Sequence, residues 1–141
     1  MAVSVAVNQA WGSTAFNLQV SISEAIMAQF CAMSWAHANP ATRRRDLAIV
    51  DGLEKATTLR GVYDYFINGA NGTMPRGFAR CFADTLRAYY ERGCRYFTTQ
   101  SGLDFSTNGF AYYFAGRLLW DVKADFDDVL DDYVRSGFGP A

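Results

Sequence analysis

AIMAQFCAM, residues 25–33, is a nearly unbroken apolar run of strand length. An antiparallel hairpin strand with one wet face alternates apolar and polar residues; a strand covered on both faces does not. The run therefore points to a parallel sheet, and the segments on either side bear on that reading. Upstream, Val3 to Val7 alternates with small residues as a short strand, while STAFNLQVSISE, 13–24, is polar-interrupted and reads as loop or irregular strand. Downstream, Asn39 is placed to cap a helix and Pro40 fits its first position. Leu47, Val50 and Leu53 recur at helical spacing, which predicts a helix over about 40–56.

Leu59 to Ile67 reads as the next strand, followed by a glycine and asparagine loop, NGANGT, and by Pro75 opening a helix. Phe78, Cys81, Phe82, Thr85, Leu86 and Tyr89 make one stripe on that helix, and Gly93 stands where a left-handed cap ends it. CRYFTT, 94–99, is a further strand, and GFAYYFAGRLLW, 109–120, a helix apolar on most sides. The last helix is amphipathic, with Phe126, Val129, Leu130, Tyr133 and Val134 inside and five aspartates outside. Its acids crowd the first turns and Arg135 sits in the last, as the helix dipole favours. The order β, β, α, β, α, β, α, α predicts an α/β fold of parallel βα units with about four strands and four helices, as a single domain over 1–141.

Composition narrows the functions open to such a chain. With 141 residues, half of them hydrophobic, and a net charge of −1, it has a real core and no overall field that recruits nucleic acid or an anionic membrane. Arg43, Arg44 and Arg45 stand beside Asp46, Asp51 and Glu54 and read as a solvated helix face. Cys31, Cys81 and Cys94 are odd in number and lack a Cys-x-x-Cys pair, and there is one histidine. Neither a disulfide framework nor a zinc site is expected, and Cys31 and Cys81 read as small buried hydrophobes. The C-terminal aspartates lack the loop glycine and terminal glutamate of an EF-hand, and no glycine-rich phosphate loop occurs, so no metal or cofactor is expected. MAVSVAVNQAW has no basic lead-in and is too short to span a bilayer, so no signal peptide is expected in this stretch and the compartment stays open.

In parallel α/β sheets, ligands gather beyond the carboxyl ends of the strands. The residues just past each apolar run are Trp11, then Ser34, Trp35 and His37, then Asp64 and Tyr65 in GVYDYF, then Gln100 and Asp104. Aromatic rings suit the apolar faces of sugars, and amides and carboxylates suit their hydroxyls. Asp64 and Asp104 are the only acids at strand ends, and glycosidic cleavage usually needs two carboxyl groups. They are the candidate catalytic pair, with Trp35, His37, Tyr65, Gln100 and Trp11 as candidate substrate-binding residues. The competing reading of Asp64 is an acceptor of backbone or arginine hydrogen bonds that holds a loop, and that of His37 is a structural hydrogen-bonder.

CAMSWAHANP (31–40), GVYDYF (61–66), LRAYYERGCRYFTTQSG (86–102) and LLWDVKADFDDVLDDYVRSGFGPA (118–141) resemble, in this order, the bacterial family of unknown function numbered 4838. The likeness covers about residues 25–141 and is most specific in the tail. It implies a glycoside-hydrolase-like (β/α)₈ barrel, of a family plausibly exported, with this chain as its C-terminal half and Asp64 and Tyr65 lining the cleft. Gln100 stands where many members carry an acid, and a glutamine cannot donate a proton as an acid. A full barrel takes about 250 residues. The half present here either pairs with a second copy as a homodimer, flattens with helices on both faces, or joins a missing N-terminal half. The expected function is to act on or bind a polysaccharide or glycan, with a non-catalytic binding or oligomeric structural module as the alternative.

Overall fold

The computed structural model describes residues 3–7, 26–65, 77, 79–100 and 105–139. Strands β1 (Val3–Val7), β2 (Ile26–Ala32), β3 (Arg60–Asp64) and β4 (Cys94–Thr99) form one sheet in the order β1-β2-β3-β4. Every neighbouring pair is parallel. Helices α1 (Pro40–Leu53), α2 (Ala79–Glu91), α3 (Phe105–Trp120) and α4 (Phe126–Phe138) complete an α/β architecture in the element order read from the sequence.

Register sorts the strand residues onto two faces. Ala28, Phe30 and Ala32 of β2 share a face with Val62 and Asp64 of β3 and Phe97 of β4. This face meets Val50 and Leu53 of α1 and Tyr89 of α2 in one core. A second core joins Phe82, Ala83 and Leu86 of α2 to Ala111, Phe114, Ala115 and Leu118 of α3 and Val129 of α4, and Phe97 touches both. The other face carries Gln29, Cys31, Gly61, Tyr63, Tyr96 and Thr98 by register. There the Gln29 amide donates to Thr98 Oγ1 at 3.2 Å. Gly61 is the one residue that fits its place on that face, because a Cβ would lie 2.9 Å from both Tyr96 Cβ and Tyr96 O.

Caps explain most helix limits. Asn39 Oδ1 accepts from Ala41 N at the start of α1, Gly93 takes φ +80° after α2, and Asp125 Oδ1 accepts from Asp127 N and Asp128 N at the start of α4. The first helix stops at Leu53 and continues only as a turn, short of the expected 56. The third begins at Phe105, four residues before the expected 109. Gly109, the first residue of the expected helix, lies inside α3, where a Cβ would come within 3.3 Å of the Tyr133 hydroxyl of α4. Tertiary closeness, not a helix end, places that glycine.

Two further expectations are amended. Cys31 and Cys81 are half-buried, and only Cys94 is buried; all three are free thiols. Burial pushes the Cys94 thiol up to about 11, against the pull of Arg60, Arg95 and Arg92, so it stays protonated. A five-residue 3₁₀ helix, Ser34–Ala38, follows β2 where the sequence shows no period. The segment 13–24 and Pro75 lie outside the described residues. Among the described residues no helix is long and apolar enough to cross a membrane.

Candidate functional site

Strands β2, β3 and β4 end level with one another. Ala32, Asp64 and Thr99 are register partners, so the segments leaving β2, β3 and β4 begin along one edge of the sheet. Side chains and backbone then lash these exits together. Tyr65 N donates to Ala32 O at 3.2 Å, Thr99 Oγ1 donates to Asp64 O at 2.9 Å, and Tyr112 of α3 donates to Gln100 O at 3.1 Å.

Asp64 lies on the helix-side face and is 0% exposed. Ser34 N–H donates to its Oδ1 at 3.1 Å, and Ser34 Oγ–H donates to its Oδ2. The carboxylate thus caps the 3₁₀ helix from a neighbouring strand, since Met33, in the local cap position, makes no side-chain cap bond. Burial raises its pKa above the usual carboxylate value, opposed by the two Ser34 bonds and by His37. This arrangement answers the charge in the middle of GVYDYF with a partner in place of solvent.

His37, carried by the same 3₁₀ helix, is equally enclosed. Its Nε2 lies 2.9 Å from Asp46 Oδ2 and its Nδ1 lies 3.1 Å from Thr85 Oγ1. Arg45 closes the far side of Asp46 with Nε at 3.0 Å from Oδ1. Both ring nitrogens are engaged, so the imidazole has no free lone pair to serve as a base. Tyr89 meets the His37 ring edge-on at 6.3 Å. Its hydroxyl is buried beside Ser34, and burial with the nearby Asp64 and Asp46 carboxylates, opposed by Ser34, raises the phenol well above its usual pKa.

Of the residues singled out in the sequence, Trp35, His37, Asp64, Tyr65 and Gln100 come to this one edge. His37 and Asp64 point beneath it and are buried; Trp35 and Tyr65 are half-buried, and Gln100 is exposed. Tyr65 packs edge-on against Tyr63 at 5.0 Å. Trp11 and Asp104 lie outside the described residues. Asp46 and Thr85 complete the buried polar chain, with the Tyr89 ring packed against it, and none of the three stands out as a site residue in the sequence. Thr85 carried the signal: a hydroxyl in an otherwise apolar stripe requires a partner inside. Asp46 was hidden among arginines that read as a solvated face. Among the described residues, no group of three histidine, cysteine or acidic side chains is arranged to hold a metal ion.

The family described as a domain of unknown function (DUF4838) matches residues 9–141. No curated protein and no solved structure matches the chain.

Proposed function

The chain belongs to the DUF4838 family, and from that membership and the level strand ends we propose that it is a carbohydrate-handling module. Its fold is read as the C-terminal half of a glycoside-hydrolase-like barrel, one α/β unit over residues 1–141, with the glycan lying along the carboxyl ends of β2, β3 and β4. The observation that carries this reading is the shared register of Ala32, Asp64 and Thr99, from which Trp35, Tyr65 and Gln100 follow at one rim. The Tyr65 ring and the part of Trp35 left exposed by its packing on the helix core offer apolar surface, and the exposed Gln100 amide offers a donor and an acceptor for sugar hydroxyls.

Asp64 supports binding over cleavage. A general acid or nucleophile must reach the glycosidic bond, and a carboxylate with no exposed surface and both oxygens engaged by Ser34 does not. Asp64 then acts as a positioning residue, fixing the turn that presents Trp35. The hydrolase reading requires Asp64 and Asp104 to flank the bond as a pair.

A glycan array followed by affinity electrophoresis tests this. Binding to at least one polysaccharide is expected, lost in Gln100→Ala and Tyr65→Ala with the circular dichroism spectrum unchanged. Turnover of an aryl glycoside that disappears in Asp64→Asn would instead establish the enzyme. Absence of binding across the array overturns the carbohydrate reading.

A further inference from the structure

Among the described residues the sheet ends at β4, beside α3. This helix leans on α2 and α4, and beyond β4 no strand follows among the described residues. Between the edge of β4 and α3 lies a cleft of about 520 Å3, lined by apolar side chains such as Leu86, Tyr89 and Leu118 together with the charged Arg95, Asp121 and Lys123. The surface at its mouth is apolar and uncovered: Tyr96 is 46% exposed, Leu119 51% and Trp120 93%. An unpaired parallel edge beside such a patch is the arrangement that recruits a further strand.

β1 has the composition this place requires. Val3, Val5 and Val7 share register with Ile26, Ala28 and Phe30, on the helix side of the sheet, while Ser4 and Ala6 share register with Met27 and Gln29 on the other. Laid parallel to β4, the same strand sets three valines on the side of the cleft. Its two small residues then fall on the side of the bulky Tyr96 ring. β1 is also the sheet's other terminal strand.

We propose that the cleft between β4 and α3 seats the Val3–Val7 strand of a second copy of this chain, added parallel to β4, and that the exchange is mutual. Two four-stranded sheets then close into one eight-stranded barrel about a two-fold axis. Eight strands enclose an interior just wide enough for side chains to fill. The face that carries the Gln29–Thr98 bond, Tyr63 and Tyr96 becomes that interior. The proposal rests on the half-barrel reading above and not on the sugar.

Sedimentation velocity of the 141-residue chain, from low micromolar to its solubility limit, is expected to give twice the 15.7 kDa chain mass. Leu119→Asp and Trp120→Glu, both at exposed positions, should raise the dimer dissociation constant about tenfold or more, roughly 1.4 kcal/mol, with an unchanged circular dichroism spectrum. In dimers mixed from ¹⁴N and ¹⁵N chains, an amine-reactive cross-linker should join Lys123 at the cleft rim to the amino terminus ahead of Val3 in the other copy. A native monomer at every concentration overturns the proposal. So does a dimer indifferent to both variants, or one cross-linked only from Lys123 to Lys123, which marks an antiparallel pairing of two β4 edges. A monomer that still binds glycan removes only the second copy; a dimer without glycan affinity removes only the sugar reading.

Discussion

The exits of β2 and β3 and the flank of β4 treat surface in opposite ways. At the exits, Ser34, His37, Asp46, Asp64 and Thr85 are all buried and hydrogen-bonded, and the 3₁₀ helix between β2 and α1 exists because those bonds hold it. Along Cys94–Phe97, by contrast, the cleft wall mixes apolar side chains with Arg95, and the apolar Tyr96, Leu119 and Trp120 at its rim stand in water. A buried polar network is costly unless every member is satisfied, so it specifies one arrangement of the elements that supply it. An exposed apolar rim specifies nothing about its own chain and is stable only at a cost in exposed surface. The first region therefore fixes the fold, and the second points outward to a partner.

The largest way to break this contrast is His37→Ala. Removing the imidazole leaves Asp46 and Thr85 buried with a lost partner, although Arg45 still pairs with Asp46 at 2.9 Å. Leaving buried polar groups without their partner costs about 1–3 kcal/mol, and with both Asp46 and Thr85 affected this variant should lie near 3. Urea denaturation at neutral pH measures it. A loss under about 1 kcal/mol would mean that the network is loose and wet, contrary to its burial.

Asp64 sharpens the same contrast with a smaller effect and a pH signature. Asp64→Ala strands the Ser34 amide and should cost about 2 kcal/mol, whereas Asp64→Asn keeps an acceptor for that amide and a donor for Ser34 Oγ, and should stay within about 1. Burial raises the pKa of the folded carboxyl above its ordinary value, so the folded state holds its proton longer than the unfolded chain. The stability this contributes is full below the unfolded pKa and is lost as pH rises through the folded one. The wild type should therefore gain on Asp64→Asn as pH falls from neutral toward 4. Denaturation of the two proteins side by side isolates this from Asp125 and Asp132, whose lowered pKa values act in the opposite direction.

The elements were readable in the sequence because each is written in local periods and caps. The run at 25–33, the stripe from Cys81 to Tyr89 with Gly93 after it, and the acidic start of the last helix all fall where the structure has β2, α2 and α4. The site was readable as a place, since parallel strands carry their exits to one edge. What was not readable was direction. Whether Asp64 faces a mouth or a turn depends on Ser34, thirty residues earlier, and no periodicity carries a contact of that range. For the same reason the 3₁₀ helix was missed, and Gly109 passed for a helix boundary when its neighbour is Tyr133 of another helix.

The smallest effect belongs to the cleft. Trp120 is 93% exposed, so Trp120→Ala removes a ring that its own chain scarcely covers. Surface substitutions of this kind stay within about 0.5 kcal/mol, and the midpoint of urea denaturation at low protein concentration should hardly move. Raising the protein concentration changes the comparison, because a partner that binds only the folded chain stabilises it by mass action. The wild-type midpoint should climb with concentration while that of Trp120→Ala stays nearly flat. Two curves that rise together would mean that the rim around Trp120 takes no part in association, and the apolar side chains of the cleft would then have to be explained by a ligand small enough to enter it.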